Sequence, residues 1–166
     1  MKTIIWFNIK KLEQDLIEEK ISERQGLYYL LGLFIIGSLG DFSSPHTYDN
    51  SWLIVIEVLI SIIITVVALK KTFDLNKMGT DKHYFTRLFS LSFVNFIRFL
   101  ALLAIPIMLF AVITLIFSFE KDVIKIQGIY SIGLGILFQL VYFNMLVNSF
   151  SRINRMEFAG ISQSAL

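Results

Sequence analysis

The chain has 166 residues, 55% of them hydrophobic and only 17% charged, with 16 Phe among them and a mean hydropathy of +0.69. That balance is too apolar for an ordinary soluble domain, and a net charge of +2 is too small to point to nucleic acid, so basic residues matter here by position. The absence of cysteine excludes a disulfide framework, a thiolate nucleophile and a cysteine metal site.

Residues 3–22 carry apolar side chains at helical spacing. Ile5, Ile9, Leu12 and Leu16 step by four, three and four and share a face, while Lys10, Lys11, Glu13, Glu18 and Glu19 fall largely elsewhere. This predicts an amphipathic helix that lies on the cytoplasmic membrane surface, docks a partner or packs on its own chain. No cleavage site follows a short apolar core, so a cleaved signal peptide is not expected.

Ser22 to Gln25 fits a capping box, which starts a helix at the head of a first span over residues 23–40. Its apolar part is short for a hydrocarbon core of about 30 Å. Tyr28 and Tyr29 suit the interface, and the capped first turn supplies length. Residues 41–51 read as a loop without Lys or Arg. Residues 52–69 form a second span of about 27 Å, with Trp52 at the outer interface and Lys70–Lys71 at the inner one. A polar linker is expected over 70–86.

The third apolar run, 88–119, holds Pro106 and is longer than a bilayer core requires. Either the helix tilts and projects inward, or residues 84–98 lie at the interface. Arg87, Ser90, Asn95 and Arg98 share one side of it, with Leu91 and Val94 intruding. After a polar turn at 120–127, the fourth span covers 128–150. Gly128, Ser131, Gly135, Gln139 and Tyr142 line one arc of it, a seam of small residues running into two hydrogen-bonding ones. Helix contacts in lipid favour that pattern, because small residues let backbones approach and amides bridge.

The fold class is therefore all-α: one polytopic membrane domain over 1–166, with four transmembrane helices and an amino-terminal amphipathic cytoplasmic or interfacial helix. Twelve Lys and Arg fall in the amino segment, the 70–87 linker and the tail, against two in the 120–127 loop and none in 41–51. Both termini are thus expected in the cytoplasm. Lys70, Lys71, Lys77, Lys82, Arg87, Arg152 and Arg155 make a basic cytoplasmic face, suited to anionic lipid, to a cytosolic partner or simply to orienting insertion.

Four intramembrane polar residues are candidates for function. Glu57 is an acid within a span, and such residues are costly unless paired or used in ion or proton movement. Arg98 either pairs with Glu57 or snorkels to the inner headgroups. Gln139 and Tyr142 either join helices or line a conduit. His46 and His83 lie on opposite sides in this topology and cannot share a site within one protomer. No HExxH, GxSxG or phosphate-cradling glycine loop is present. No enzymatic activity, cofactor, metal site or direct nucleic-acid binding is expected.

The runs SERQGLYYLLG and NKMGTDKHYFTRLFSLSFVNFIRFL resemble small uncharacterised four-span bacterial membrane proteins. In plan, by span number and basic cytoplasmic side, the chain is also similar to the membrane subunit of the Kiwa phage-defence system. That resemblance implies a homo-oligomer of the bacterial inner membrane that recruits a cytosolic effector, and no functional residue is carried over from it. Three functional readings follow: a non-enzymatic subunit that senses or anchors and passes a signal to a cytosolic partner, an ion-conducting pore or small transporter lined by Glu57 and Gln139, and an immunity protein against a membrane-active toxin.

Overall fold

The computed structural model describes residues 4–41, 51–117 and 123–164. Every regular element within them is an α-helix: α1 (Ile9–Ile17), α2 (Glu23–Asp41), α3 (Ser51–Met78), α4 (Tyr84–Phe117) and α5 (Val123–Ser164). The expected loop between α2 and α3, and with it His46, falls at 42–50, outside the described residues.

Helix α1 is shorter than the 3–22 pattern suggests. Asn8 caps it by accepting the Lys11 N–H at 3.0 Å, which satisfies one of the amides that a helix start leaves free. Ile9, Leu12 and Leu16 are buried along one stripe. Ile5 precedes the helix, and its N–H donates to the Tyr29 hydroxyl at 3.0 Å. The entry to α2 closes as a reciprocal capping box: Ser22 N–H donates to Gln25 Oε1 at 3.0 Å, and Gln25 N–H donates to Ser22 Oγ at 3.4 Å.

The expected linker at 70–86 is mostly helix. α3 continues to Met78 because no Gly or Pro interrupts 70–78, and because Thr72 and Asn76 turn inward and are buried. Only residues 79–83 connect α3 to α4, with Asp81 and His83 in the left-handed region at φ 54° and 50°. The helix expected as the fourth span is likewise extended at both ends. α5 begins at Val123, inside the expected 120–127 turn, and runs on to Ser164 through the expected tail. Pro106 stands within α4 without ending it.

Consecutive long helices run antiparallel, yet the closest neighbours are not consecutive. α2 lies along α4, with Gly26 against Thr86 and Gly32 against Phe93. A Cβ on Gly32 would come within 2.5 Å of the Phe93 ring, so only glycine permits this approach. α3 lies along α5, and α4 meets α5 through Asn95–Ser149 and Phe99–Phe138. The order across the fold is α2, α4, α5, α3. Among the described residues α2 touches neither α3 nor α5, so the helices form a row and not the closed four-helix bundle that the span pattern suggests. α1 lies across α4 and α5.

Burial divides the row by height. At one end, here called the base, α1 covers a core containing Leu12, Leu16, Tyr29, Leu91, Leu146, Phe150 and Ile153. Away from it the surface is apolar: Ile62 and Val66 on α3, Leu102 and Ile105 on α4, and Leu137 and Leu140 on α5 are exposed. Two segments, Tyr84–Pro106 and Gly133–Ala159, are long and apolar enough to cross a membrane, and only 39% and 22% of their apolar windows are buried within the protein. The core helix of a water-soluble domain would be mostly covered.

Candidate functional site: a polar seam between α3 and α5

The face that α3 turns to α5 carries a stripe missed in the sequence. Glu57, Ser61, Thr65, Ala68, Thr72, Asn76 and, just past the helix end, Gly79 step by four, four, three, four, four and three, which keeps them on one side. Each is small or polar. Sequence reasoning picked out Glu57 alone, because the surrounding Ile and Val dominate any average over this run. The signal was the period of the small and polar residues within it.

At the upper end, Glu57 faces Gly135, where an added Cβ would lie 3.5 Å from the Glu57 Oε1. One turn further, the Gln139 amide donates to the Ser61 carbonyl at 3.0 Å and to Thr65 Oγ1 at 3.1 Å, while Thr65 Oγ1 donates to the same carbonyl at 2.9 Å. Gln139 thereby ties α5 to a carbonyl whose helix partner is already made. In the middle, Thr72 Oγ1 donates to the Leu69 carbonyl at 2.9 Å and accepts from the Tyr84 hydroxyl at 3.0 Å.

At the base the seam ends in a buried ion pair. Arg87 and Glu157 are 4% and 5% exposed and in direct contact. Arg87 also donates to Asn76 Oδ1 at 3.1 Å and to Thr80 Oγ1 at 3.2 Å. Glu157 accepts from Thr80 Oγ1 at 3.1 Å and from the Thr80 N–H at 3.3 Å. A Cβ on Gly79 would stand 2.5 Å from Glu157 Oε2 and 3.0 Å from Asn154 Oδ1, so glycine lets the carboxylate reach the backbone of the turn. One carboxylate thus binds α5 to the α3–α4 turn and to the first turn of α4. With its oxygens engaged by Arg87 and Thr80, Glu157 serves as a clamp.

A second clamp holds α1. Arg152 donates from Nε to both oxygens of Glu13 at 3.1 Å and from Nη2 to Ser149 Oγ at 3.0 Å. Asn95 Nδ2 donates to the same Ser149 Oγ at 3.0 Å. The Glu13 side chain is 2% exposed and that of Arg152 is 46% exposed, so the carboxylate is the buried partner. A third tie joins the end of α1 to the 79–83 turn. Lys82 donates to Glu19 at 3.0 Å, and that hydrogen bond holds the Glu19 carboxyl below the usual carboxylate range.

The residues expected to act together are distributed differently. Gly135 and Gln139 face α3, but Tyr142 turns to α4, donating to the Ser92 carbonyl at 3.4 Å and packing on Phe96 and Phe99. Gly128 and Ser131 belong to α5, and their side-chain surroundings lie outside the described residues. Arg98 is half-buried on α4. Among the ion pairs of the described residues none joins it to Glu57, and α3 and α4 flank α5 with little contact between them. Of the expected basic face, Lys70, Lys71, Lys77, Lys82 and Arg155 are exposed. Arg87 does not belong to it: its charge is buried against Glu157. Arg152 belongs only in part, since its guanidinium is committed to Glu13.

The arrangement is one of helix-to-helix fastening by hydrogen bonds and paired charges. No protein family, curated protein or solved structure matches the chain.

Proposed function

We propose that this chain is a non-enzymatic subunit of a bacterial inner membrane that spans the bilayer four times, keeps both termini in the cytoplasm, self-associates and presents its base to a cytosolic partner. The observation that carries this reading is the division by height: an exposed apolar girdle stands above a base that has its own buried core and is fastened by paired charges. Exposed apolar area on that scale needs lipid or another copy against it. A core of the base's kind, with Asn76, Arg87 and Glu157 buried together, belongs outside hydrocarbon, where the exposed lysines on its surface are hydrated.

In this reading α3, α4 and α5 are longer than a bilayer because their ends build the base. Lys70, Lys71, Lys77 and Arg155 then form the surface that a partner of acidic character meets. A part in phage defence rests on the resemblance in plan alone. The test is affinity capture from mild detergent, with chemical cross-linking and mass measurement in parallel. An oligomer that brings down a cytosolic protein, lost when Lys70, Lys71 and Lys77 are changed to Glu, supports the reading. Recovery of monomer alone without a partner defeats it.

A second reading is favoured by Glu57, Ser61, Thr65 and Gln139 standing in line within the apolar half. If the seam opens there, it becomes a path for a cation or proton. Flux into proteoliposomes that disappears in Glu57→Gln supports the path, and flux unchanged by that substitution removes it.

A further inference from the structure

The segment before α1 leaves two large aromatic side chains uncovered. Trp6 is 50% exposed and Phe7 61%, and Lys10 and Lys11 are exposed one turn on. The segment is nonetheless held in place. The Ile5 N–H donates to the Tyr29 hydroxyl at 3.0 Å, and the Trp6 ring meets Phe93 edge-on at 5.2 Å between centroids. Asn8 then fixes the start of α1. An anchored, half-exposed Trp–Phe pair beside two lysines is a composition matched to the headgroup layer, where an aromatic ring has an apolar and a wet side.

The height of the pair agrees. Arg87 and Gly79 both meet Glu157 and mark one level of the base. Phe93 stands about 9 Å up α4 from Arg87, and Lys71 about 12 Å up α3 from Gly79, at about 1.5 Å per residue. Trp6, set edge-on against Phe93, is therefore near the level at which the apolar run of α3 gives way to Lys70–Lys71. A shallow groove beside the pair is lined by Asn8, Lys11 and Asp15 among others. Asp15 opposes an anion there, so the lysines set the preference only where they outweigh it.

We infer that Trp6, Phe7, Lys10 and Lys11 form an interfacial hook that seats the aromatic pair among the headgroups of the inner leaflet and selects anionic phospholipid. This rests on the membrane reading above, and the choice of lipid over a cytosolic protein follows from the height of the aromatic pair, level with the end of the apolar run of α3. Each well-placed lysine strengthens attraction to an anionic leaflet roughly fivefold.

The chain has two tryptophans, Trp6 and Trp52, and Trp52 is exposed at the far end of α3, which makes the test direct. Trp52→Phe and Trp6→Phe variants of the full chain are reconstituted in bilayers of phosphatidylcholine with phosphatidylglycerol, one or the other lipid carrying bromines high on its acyl chains. The hook requires that Trp6 be quenched by both brominated lipids, more strongly by phosphatidylglycerol, and that Lys10→Gln with Lys11→Gln remove the difference. Equal quenching by the two lipids before that substitution overturns the anionic preference. Quenching of Trp52 but not of Trp6 overturns the hook while leaving the membrane reading intact. Failure of both tryptophans to be quenched overturns both.

Discussion

Removing the Glu157 carboxylate tests the clamp at the base most directly. The Arg87 guanidinium is 4% exposed in the intact pair, and Glu157→Ala leaves it among Asn76 and Thr80 without a counter-charge. The Thr80 N–H and hydroxyl lose their acceptor as well. Breaking one side of a buried ion pair costs about 3–5 kcal/mol. For a chain of this size a loss of that order lowers the unfolding midpoint by about 6–20 °C, at roughly 2–4 °C per kcal/mol. The pair itself need not be worth that much, because desolvating two charges offsets most of their attraction. Arg87→Met combined with Glu157→Leu should accordingly recover most of what either single loss takes away. The assay is thermal unfolding in detergent followed by circular dichroism, run as a double-mutant cycle. A midpoint shift in Glu157→Ala of less than about 2 °C, or a double variant no more stable than the worse single one, would refute the assignment of this pair as the fastening of the base.

Other consequences follow from the same contacts. Arg152→Ala should cost about 1–3 kcal/mol and Glu13→Ala less, because the first strands a buried carboxylate whereas the second frees a guanidinium that is already half in water; hydrogen exchange of the α1 amides reports the order, and the reverse order would contradict it. Gly79→Ala places a methyl 2.5 Å from Glu157 Oε2 and should destabilise by about 1–3 kcal/mol, with little further loss when added to Glu157→Ala. Gln139→Leu removes both hydrogen bonds to α3 and should cost roughly 0.6–2 kcal/mol in lipid or detergent; no change in a steric-trapping measurement would show that the amide is not holding the two helices. The Glu19–Lys82 tie should loosen on acidification. A carboxyl held below its ordinary range adds stability above that range and loses it as pH falls through its own lowered value, and proton exchange at the end of α1 should rise in that acid window.

Sequence alone was enough to indicate an all-helical chain with long apolar stretches, because hydrophobic content and helical period are local properties. Local signals also located the capping box at Ser22–Gln25 and the buried stripe of Ile9, Leu12 and Leu16. The ends of the long helices were not legible. Charge density at 70–78 and 151–164 reads as linker and tail, whereas tertiary contacts at Thr72, Asn76, Ile153 and Glu157 keep those residues helical and bury one side of them. The fate of each charged group was also decided in three dimensions. Arg87 and Lys82 look alike in a count of basic residues, and each meets a carboxylate from far along the chain, but only the fold buries the first pair and leaves the second on the surface. Side-chain period tells which face of a helix is special. Which helix lies against that face depends on the whole set of contacts, and here α3 pairs with α5 and α2 with α4, an order that no local pattern in this chain encodes.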